Sequence, residues 1–254
     1  MQSKINLEQK TYPTGTWISI NSPTVAEVTA SLPVDFVVID TEHSAMGLET
    51  VENMIRGVDA VNKDTGSIVR VPGNDKDHLK RVLDIGVDGI LVPRIETAEQ
   101  ARSLVEAVTY PPKGDRGIAS GRASNYGDDF QKYVEHADDL ITTIAQIETK
   151  RGVENASEIA TVEGIDAIFI GPADLSGSLG VFAQWDSELL NQYINEAIQA
   201  GKEHQKPVGT LVIQQEDIKT RIDQGFDFLA VGKDTSTLGS GTNELISTCK
   251  DHGK

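Results

Sequence analysis

Two carboxylates, Glu148 and Asp174, each follow a short apolar segment in the middle of the chain. Between them Val153, Ile159 and Val162 recur at helical spacing, which predicts a strand, a helix and a second strand. Such a crossover makes the two strands parallel and usually neighbours, so both carboxylates are expected at the same edge. Paired carboxylates there hold a hard divalent cation or share a proton. Two solvated acids that merely close the strands are the alternative.

Polar residues of complementary types follow other apolar segments in the same way. They are Asp40, Thr41, Glu42 and His43 after the second segment, Arg70 after the third and Gln146 within the fifth. In a barrel of parallel strands, chemistry is located at the carboxyl ends of the strands. The pattern therefore predicts one face on which these groups converge.

The elements that must position these residues alternate along the chain. Predicted strands are 16–20, 36–39, 67–71, 89–92, 141–147, 167–170, 207–212 and 228–231. Predicted helices are 25–31, 49–61, 77–85, 98–108, 152–161, 187–203, 215–224 and 243–250. This alternation favours a parallel sheet. Eight units in 254 residues, without a second zone of composition, favour a single-domain (β/α)8 TIM barrel over residues 1–254 rather than an open sheet.

Residues 110–139 form a long connection between the fourth helix and the fifth strand, rich in glycine and charge. We expect a short helix within it at 129–136. Connections of this length inside a compact domain are usually functional or interfacial.

The charge of the chain excludes some classes of partner. With 39 acidic and 23 basic side chains, the net charge of −16 argues against nucleic acid, which requires clustered Lys and Arg. The excess reflects either ordinary acidic solubility or adaptation to high salt. No apolar run approaches the roughly 20 residues that span a bilayer, and the first residues lack a signal-peptide core. We therefore expect a cytoplasmic protein. The single cysteine, Cys249, cannot form a disulfide within the chain, which suits a reducing compartment.

These residues resemble the HpcH/HpaI aldolases, metal-dependent pyruvate aldolases of bacterial and archaeal catabolism. The resemblance covers nearly the whole chain, and its two most specific motifs are Gln146-Ile147-Glu148 and the segment from Gly171 to Ser176. Supporting motifs are Gly15-Thr16-Trp17, the segment 22–27, Asp40-Thr41-Glu42-His43, Val69-Arg70-Val71-Pro72, Leu83-Asp84-Ile85-Gly86, the segment 97–101 and Tyr110-Pro111-Pro112.

The resemblance implies an eight-stranded barrel, a homo-oligomer that is typically a hexamer, and an exchanged C-terminal helix. It implies cleavage of 4-hydroxy-2-oxo acids to pyruvate, or a close 2-oxo acid, and an aldehyde. Glu148 and Asp174 would hold Mg²⁺, Mn²⁺ or Co²⁺, with positions open for the substrate's carboxylate and keto oxygens. The chemistry agrees, because breaking this bond leaves an enolate that needs a Lewis acid and hydrogen-bond donors.

Three residues receive catalytic roles from the resemblance. Arg70 would face the keto or enolate oxygen, although an arginine at a strand end is equally often a salt-bridge partner. His43 would carry a proton, since its ordinary pKa near 6.5 permits exchange at neutral pH. Asp84 matches the position that orients this histidine; a solvated acid at a helix end is the alternative.

Further residues are expected to contact the substrate. Gln146 and the amides near Ala173 would bind the 2-oxo acid, and Glu42 would accept a hydrogen bond from metal-bound water. Arg94 stands where many relatives carry an apolar residue. It either meets a distal carboxylate or sugar-acid oxygens, or is a surface charge. Residues 114–125 could also reach an active site, including that of a neighbouring subunit.

Three rival functions stand beside this one. An acyl-CoA lyase of the same superfamily would usually be longer and would need a basic CoA-binding cluster, which the sequence lacks. An aldolase that forms a Schiff base would need a buried lysine, whereas the candidates Lys150 and Lys233 follow strand ends and are expected to be exposed. A non-catalytic ligand-binding barrel is the third.

Overall fold

The structure, a computed structural model, describes residues 5–7, 12–61 and 64–253. Its centre is a closed barrel of eight parallel strands in which each strand pairs with the next and the last pairs with the first. The strands are β1 Thr14–Ile18, β2 Phe36–Asp40, β3 Gly66–Arg70, β4 Gly89–Val92, β5 Thr142–Ile147, β6 Ala167–Ile170, β7 Val208–Val212 and β8 Phe228–Lys233. The predicted (β/α)8 barrel is confirmed.

Eleven α-helices lie among the described residues. They are α1 Pro23–Ala30, α2 Leu48–Val61, α3 Lys76–Asp84, α4 Ala98–Val108, α5 Phe130–Leu140, α6 Lys150–Glu154, α7 Ala156–Ala160, α8 Pro172–Ser178, α9 Glu188–Glu203, α10 Gln215–Gln224 and α11 Asp234–His252, with a 3-10 helix at Arg122–Gly127. Ser22, Asp75, Thr97 and Thr149 cap their helices with side-chain oxygens. Within the described ranges, no helix has the length and apolarity that crossing a bilayer requires.

Apolar side chains form two layers, because successive residues of a strand face opposite sides. One layer fills the barrel, and the other lies between strands and helices. Inside the barrel the rings of Phe36 and Phe228 lie directly against Gly15 and Gly209, where an added Cβ would come within 2.3 and 2.2 Å of them. These glycines leave room for the two aromatic rings, which fill the barrel at the end where the strands begin.

Several element boundaries differ from the prediction. β1 begins two residues earlier than 16–20, and the predicted helix 152–161 is divided into α6 and α7. α8 begins directly after Gly171 where a loop was expected, because Pro172 is well suited to the first position of a helix. α11 extends far beyond 243–250, and none of its residues is buried. Its first half was not predicted because Leu238 is the one large apolar residue there, so the sequence shows no apolar stripe.

Candidate active site

The carboxyl ends of the strands surround a cavity of about 360 Å³, which we call the central cavity. Its lining includes Trp17, His43, Arg70, Gln146, Phe169, Ala173, Asp174, Leu211, Arg221 and Lys233. A second space of about 540 Å³, the outer cavity, is lined by Arg94, Glu148, Thr149, Ala173, Asp174, Gly177, Ser178 and Phe182. The two cavities share Ala173 and Asp174, whereas Glu148 lines only the outer cavity.

Arg70, the last residue of β3, is fixed from several sides. Its Nε and Nη2 donate to Asp40 Oδ1 and Oδ2 at 2.9 and 2.8 Å, across the register that pairs these two residues. Nη1 lies 2.9 Å from Glu42 Oε2 in an ion pair not aligned as a hydrogen bond. The guanidinium carbon is 4.7 Å from the centre of the Trp17 ring. Arg70 is thus both a salt-bridge partner and part of the cavity wall.

Asp40 shapes the loop that carries His43. Its Oδ1 also accepts from the backbone N–H groups of Glu42 and His43 at 3.2 and 3.3 Å. Burial alone would raise the pKa of Asp40, but the hydrogen bonds and the charge of Arg70 lower it below its ordinary value. Asp40 therefore stays ionised and holds both Arg70 and the loop.

Glu42 and His43 lie together at the mouth. The His43 side chain is 63% exposed, and its Nε2 is 3.8 Å from Glu42 Oε2. The pKa of Glu42 is raised, first by burial, with Arg70 opposing the shift and the charges of Asp40 and Asp174 adding to it. His43 is thus accessible to substrate and solvent beside a carboxylate that attracts its proton.

Glu148 is almost completely buried, although it directly follows β5. Its Oε2 accepts from Gln146 Nε2, and its Oε1 accepts from the backbone N–H of Arg94 at 3.0 Å. Burial first, and then the negative charge of Asp174, raise the pKa of Glu148 to about 7. Gln146 Oε1 has no hydrogen-bond partner among the described residues.

The sequence suggested that Asp174 lies at the end of β6. In the structure it lies in the first turn of α8. The turn between them needs Gly171, because a Cβ there would lie 2.7 Å from Glu148 Oε2 and 3.0 Å from Gln146 Nε2. Helix α8 begins beside these carboxylates, so its first N–H groups are available to an anionic ligand.

The donor set fits a hard divalent cation held by two protein carboxylates. In the described part of the chain, Glu148 has no cationic side chain within ion-pair distance, and it shares its surroundings with Asp174. A buried carboxylate beside a second one is costly unless a cation or a proton neutralises the charge. No cluster of three or more His, Cys, Asp or Glu was found among the described residues, so the remaining ligands would be water or substrate.

Arg94 meets the site through its backbone. Its N–H orients Glu148, while its side chain is 65% exposed and lies 4.0 Å from Glu96. The side chain borders the outer cavity and does not line the central cavity. Its predicted contact with a distal substrate group stays a prediction.

Asp84 is not brought to this site within the chain. It ends α3, beside the start of β4 and therefore at the opposite end of the barrel from His43. Its Oδ1 accepts from Arg116 Nη2 at 3.0 Å, and Arg116 lies buried between the rings of Tyr110 and Tyr133. Residues 114–125 lie at the same end, so they do not reach this chain's own central cavity.

Several residues of the central cavity had no predicted binding role, among them Trp17, Arg221 and Lys233. Trp17 was noted only as part of a motif, Arg221 was not considered, and Lys233 was expected to be exposed. Lys233 is half-buried, which corrects that expectation. Lys150 is exposed, as expected, and its Nζ lies 3.7 Å from Glu154 Oε1. In the sequence, the one indication of a cavity role for Lys233 was its position at the end of the last predicted strand.

Comparison with known proteins decides the family. The family model described as HpcH/HpaI aldolase/citrate lyase matches residues 13–240. The chain belongs to this family. The resemblance drawn from the motifs is confirmed, and so is the prediction of an enzyme that makes or breaks carbon–carbon bonds.

Relatives of this HpcH/HpaI protein cover almost its full length. A 4-hydroxy-2-oxovalerate aldolase of Novosphingobium aromaticivorans is 36% identical over 96% of this chain and 94% of its own. A hydroxypyruvate/pyruvate aldolase of Delftia acidovorans is 38% identical over 88% and 83%. The crystal structure of a family member from Burkholderia cenocepacia has a TM-score of 0.92 at 29% identity, covering 96% of this chain and 97% of that one.

Proposed function

We propose that this protein is a divalent-metal-dependent aldolase that cleaves 4-hydroxy-2-oxo acids to pyruvate and an aldehyde, or joins them. The observation that carries the proposal is the buried Glu148 next to the solvent-accessible Asp174, beside a cavity that also contains Arg70 and His43. Glu148 and Asp174 would hold Mg²⁺, Mn²⁺ or Co²⁺. When bound, the cation supplies a Lewis acid for the 2-oxo group.

The protein's own residues account for binding of the 2-oxo acid. The first N–H groups of α8, around Ala173, would donate to the substrate carboxylate, and Gln146 Oε1, which has no hydrogen-bond partner among the described residues, would accept from the C4 hydroxyl group of the substrate. Arg70 keeps N–H groups not used by Asp40, since a guanidinium has five donors. These donors would face the oxygen on which negative charge develops.

Cleavage then requires movement of one proton in each half of the reaction. The C4 hydroxyl loses its proton, its oxygen forms the aldehyde C=O, the C3–C4 bond breaks, and its electron pair becomes the pyruvate enolate. C3 of the enolate later gains a proton. We assign both proton transfers to His43, which is exposed at the mouth of the cavity next to Glu42. Glu42 would hold the water that relays it.

The rival functions are weaker on this geometry. A Schiff-base mechanism needs a lysine placed at the keto carbon, and Lys150 lies outside the central cavity, which leaves Lys233 as the one candidate to test. A non-catalytic barrel would not require a buried carboxylate, Glu148, beside a second one, which costs stability in the absence of a ligand. The relatives from Novosphingobium aromaticivorans and Delftia acidovorans are named as aldolases, one of 4-hydroxy-2-oxovalerate and one of hydroxypyruvate or pyruvate.

We further propose a homo-oligomer in which α11 packs on another copy, as the resemblance to hexameric relatives implies. α11 buries none of its residues in the chain, and Leu238 and Leu245 are 63% and 74% exposed. Val28 on α1 and Ile222 on α10 are also exposed. In such an assembly, Asp84 could orient His43 only if it came from a different copy.

The experiment is a panel of 4-hydroxy-2-oxo acids, assayed for pyruvate release with the folded protein loaded with Mg²⁺, Mn²⁺ or Co²⁺. We expect release from several members, with the size and charge of the aldehyde half deciding the rate. Absence of release across the panel would overturn the aldolase proposal. Cleavage of acyl-CoA thioesters instead would favour the superfamily alternative.

A further inference from the structure

The central cavity has a cationic wall that the proposed reaction does not use. Lys233 ends β8 and pairs in register with Trp17 of β1, beside a local irregularity of the β1–β8 ladder. It is half-buried and lines the same cavity as Arg70, Gln146 and Asp174. Its position therefore puts an ammonium group in contact with the space that receives substrate.

The side chain of Lys233 has no ion-pair or hydrogen-bond partner among residues 5–7, 12–61 and 64–253. The nearest acid in sequence, Asp234, instead accepts from the backbone N–H groups of Ser19 and Ile20 at 2.7 to 3.0 Å. A long cationic side chain without a partner, half-removed from water, gains most from an anionic ligand.

Arg221 of α10 adds a second positive charge to this wall. It is 9% exposed, and its Nη1 donates to the neutral Gln224 Oε1 at 2.7 Å. Asp217, on the same helix, also lines the cavity, although it is exposed to solvent, and it is the carboxylate whose charge acts on Arg221. Burial lowers the pKa of Arg221 and Asp217 opposes that shift, so the guanidinium is only partly compensated.

The position of this wall corresponds to the aldehyde half of the substrate. Asp174, which follows β6, belongs to the end that would hold the 2-oxo acid. β8 is two strands further around the barrel, on the order of 10 Å away at the usual strand spacing. The C4 substituent of a substrate held at Asp174 and Arg70 by its 2-oxo acid could therefore reach Lys233 if it spans this distance within the central cavity.

We infer that Lys233, supported by Arg221, selects aldehydes that carry a negatively charged terminal group such as a carboxylate. This inference rests on the proposed aldolase function and adds the class of its second substrate. Lys233 would act as a binding residue through electrostatic attraction and hydrogen bonding, without forming a covalent bond. A single charge-assisted contact of this kind changes selectivity by about tenfold or more.

The test compares two acceptors of the same shape, 4-oxobutanoate and 4-oxobutanamide, in condensation with pyruvate by the metal-loaded enzyme. We expect the wild type to favour the carboxylate in kcat/KM. Lys233→Met should reduce the carboxylate-to-amide ratio by about tenfold or more, mainly through KM. Lys233→Arg should retain much of the preference, because it keeps the charge.

Lys150→Met is the matched control, since Lys150 also follows a strand at this end of the barrel but lies outside the central cavity. It should leave the ratio unchanged. Measuring a ratio within each variant separates selectivity from partial misfolding, which would lower both rates together.

Several results would overturn the inference. A wild-type enzyme that releases pyruvate in the 4-hydroxy-2-oxo acid panel but does not prefer the carboxylate acceptor would contradict it while leaving the aldolase proposal intact. An unchanged ratio in Lys233→Met would do the same. If borohydride and pyruvate label Lys233, the residue forms an imine, and both the inference and the metal mechanism are wrong. Failure of the wild type with every substrate would refute the aldolase proposal itself.

Discussion

At the scale of single residues, the site is organised by Arg70 and the acids around it. Asp40 engages one edge of the guanidinium with two hydrogen bonds, and Trp17 packs on its face. This arrangement leaves little freedom for the side chain, so its remaining donors are held in place before the substrate arrives. Preorganised donors are the kind that stabilise developing negative charge most effectively.

Substitution of Arg70 tests this role. Arg70→Ala should reduce kcat for pyruvate formation by a factor of about 10² or more, the usual loss when one donor to an oxyanion is removed. Arg70→Lys should remain well below the wild type, because an ammonium cannot reproduce the forked contact with Asp40. Steady-state kinetics on metal-loaded protein, with circular dichroism to verify folding, provides the measurement. Near-normal kcat in a folded Arg70→Ala protein would remove Arg70 from the mechanism.

The sequence predicted which residues converge, but not all of their contacts. Glu148, Arg70 and His43 follow strands and could be placed at one end of the barrel from alternation alone. The bidentate pairing of Asp40 with Arg70 depends on the β2–β3 register, which alternation does not specify. The role of Asp84 stays a prediction: within one chain it lies at the opposite end of the barrel from His43, and a motif match does not tell which copy a residue faces.

At the scale of elements, strands and the turns between them were predictable because apolar runs are bounded by Gly, Pro and charged residues. α8 was missed because Pro172 and Gly177 hide a short helix, and its first turn carries Asp174. The cavity role of Lys233 was missed because the β1–β8 ladder is irregular there. Such local irregularities depend on tertiary packing and leave no periodic signal.

Asp88 connects the starts of β3 and β4 and makes this end of the barrel sensitive to pH. Its Oδ2 accepts from Ser67 N and Oγ at 2.8 and 2.9 Å. Burial raises the pKa of Asp88 from 3.8 to about 6. Because the folded protein binds this proton more tightly than the unfolded chain, the stabilising contribution is full below about pH 4 and is lost as pH rises through 6.

Asp88→Asn should remove this dependence, since an amide oxygen can still accept from Ser67 and carries no charge. Relative to the wild type, the variant should gain about 1 kcal/mol or more in free energy of unfolding between pH 5 and pH 7.5. Denaturant unfolding at both pH values measures the difference. If the free energies of unfolding of variant and wild type differ by the same amount at both pH values, Asp88 titrates in the folded protein as it does in the unfolded chain. That result would contradict the prediction.

At the scale of the whole molecule, α11 is the part that the chain does not bury. Leu245→Asp should shift the protein to smaller assemblies in light scattering coupled to size exclusion, because a charge at an apolar contact opposes association. Ser247→Asp is the control on the same helix and should leave the mass unchanged. A monomeric wild type, or identical masses for all three proteins, would contradict an exchange of α11 between copies.

The account as a whole depends on a cation held by Glu148 and Asp174, and chelation tests it most directly. Thorough chelation should abolish pyruvate release from 4-hydroxy-2-oxo acids, and Mg²⁺, Mn²⁺ or Co²⁺ should restore it. Asp174→Asn should resist restoration at metal concentrations that saturate the wild type, because a neutral amide replaces one of two anionic ligands. Borohydride with pyruvate should leave the protein's mass unchanged. Full cleavage activity that survives chelation, with a borohydride-trapped adduct on a lysine, would contradict the account.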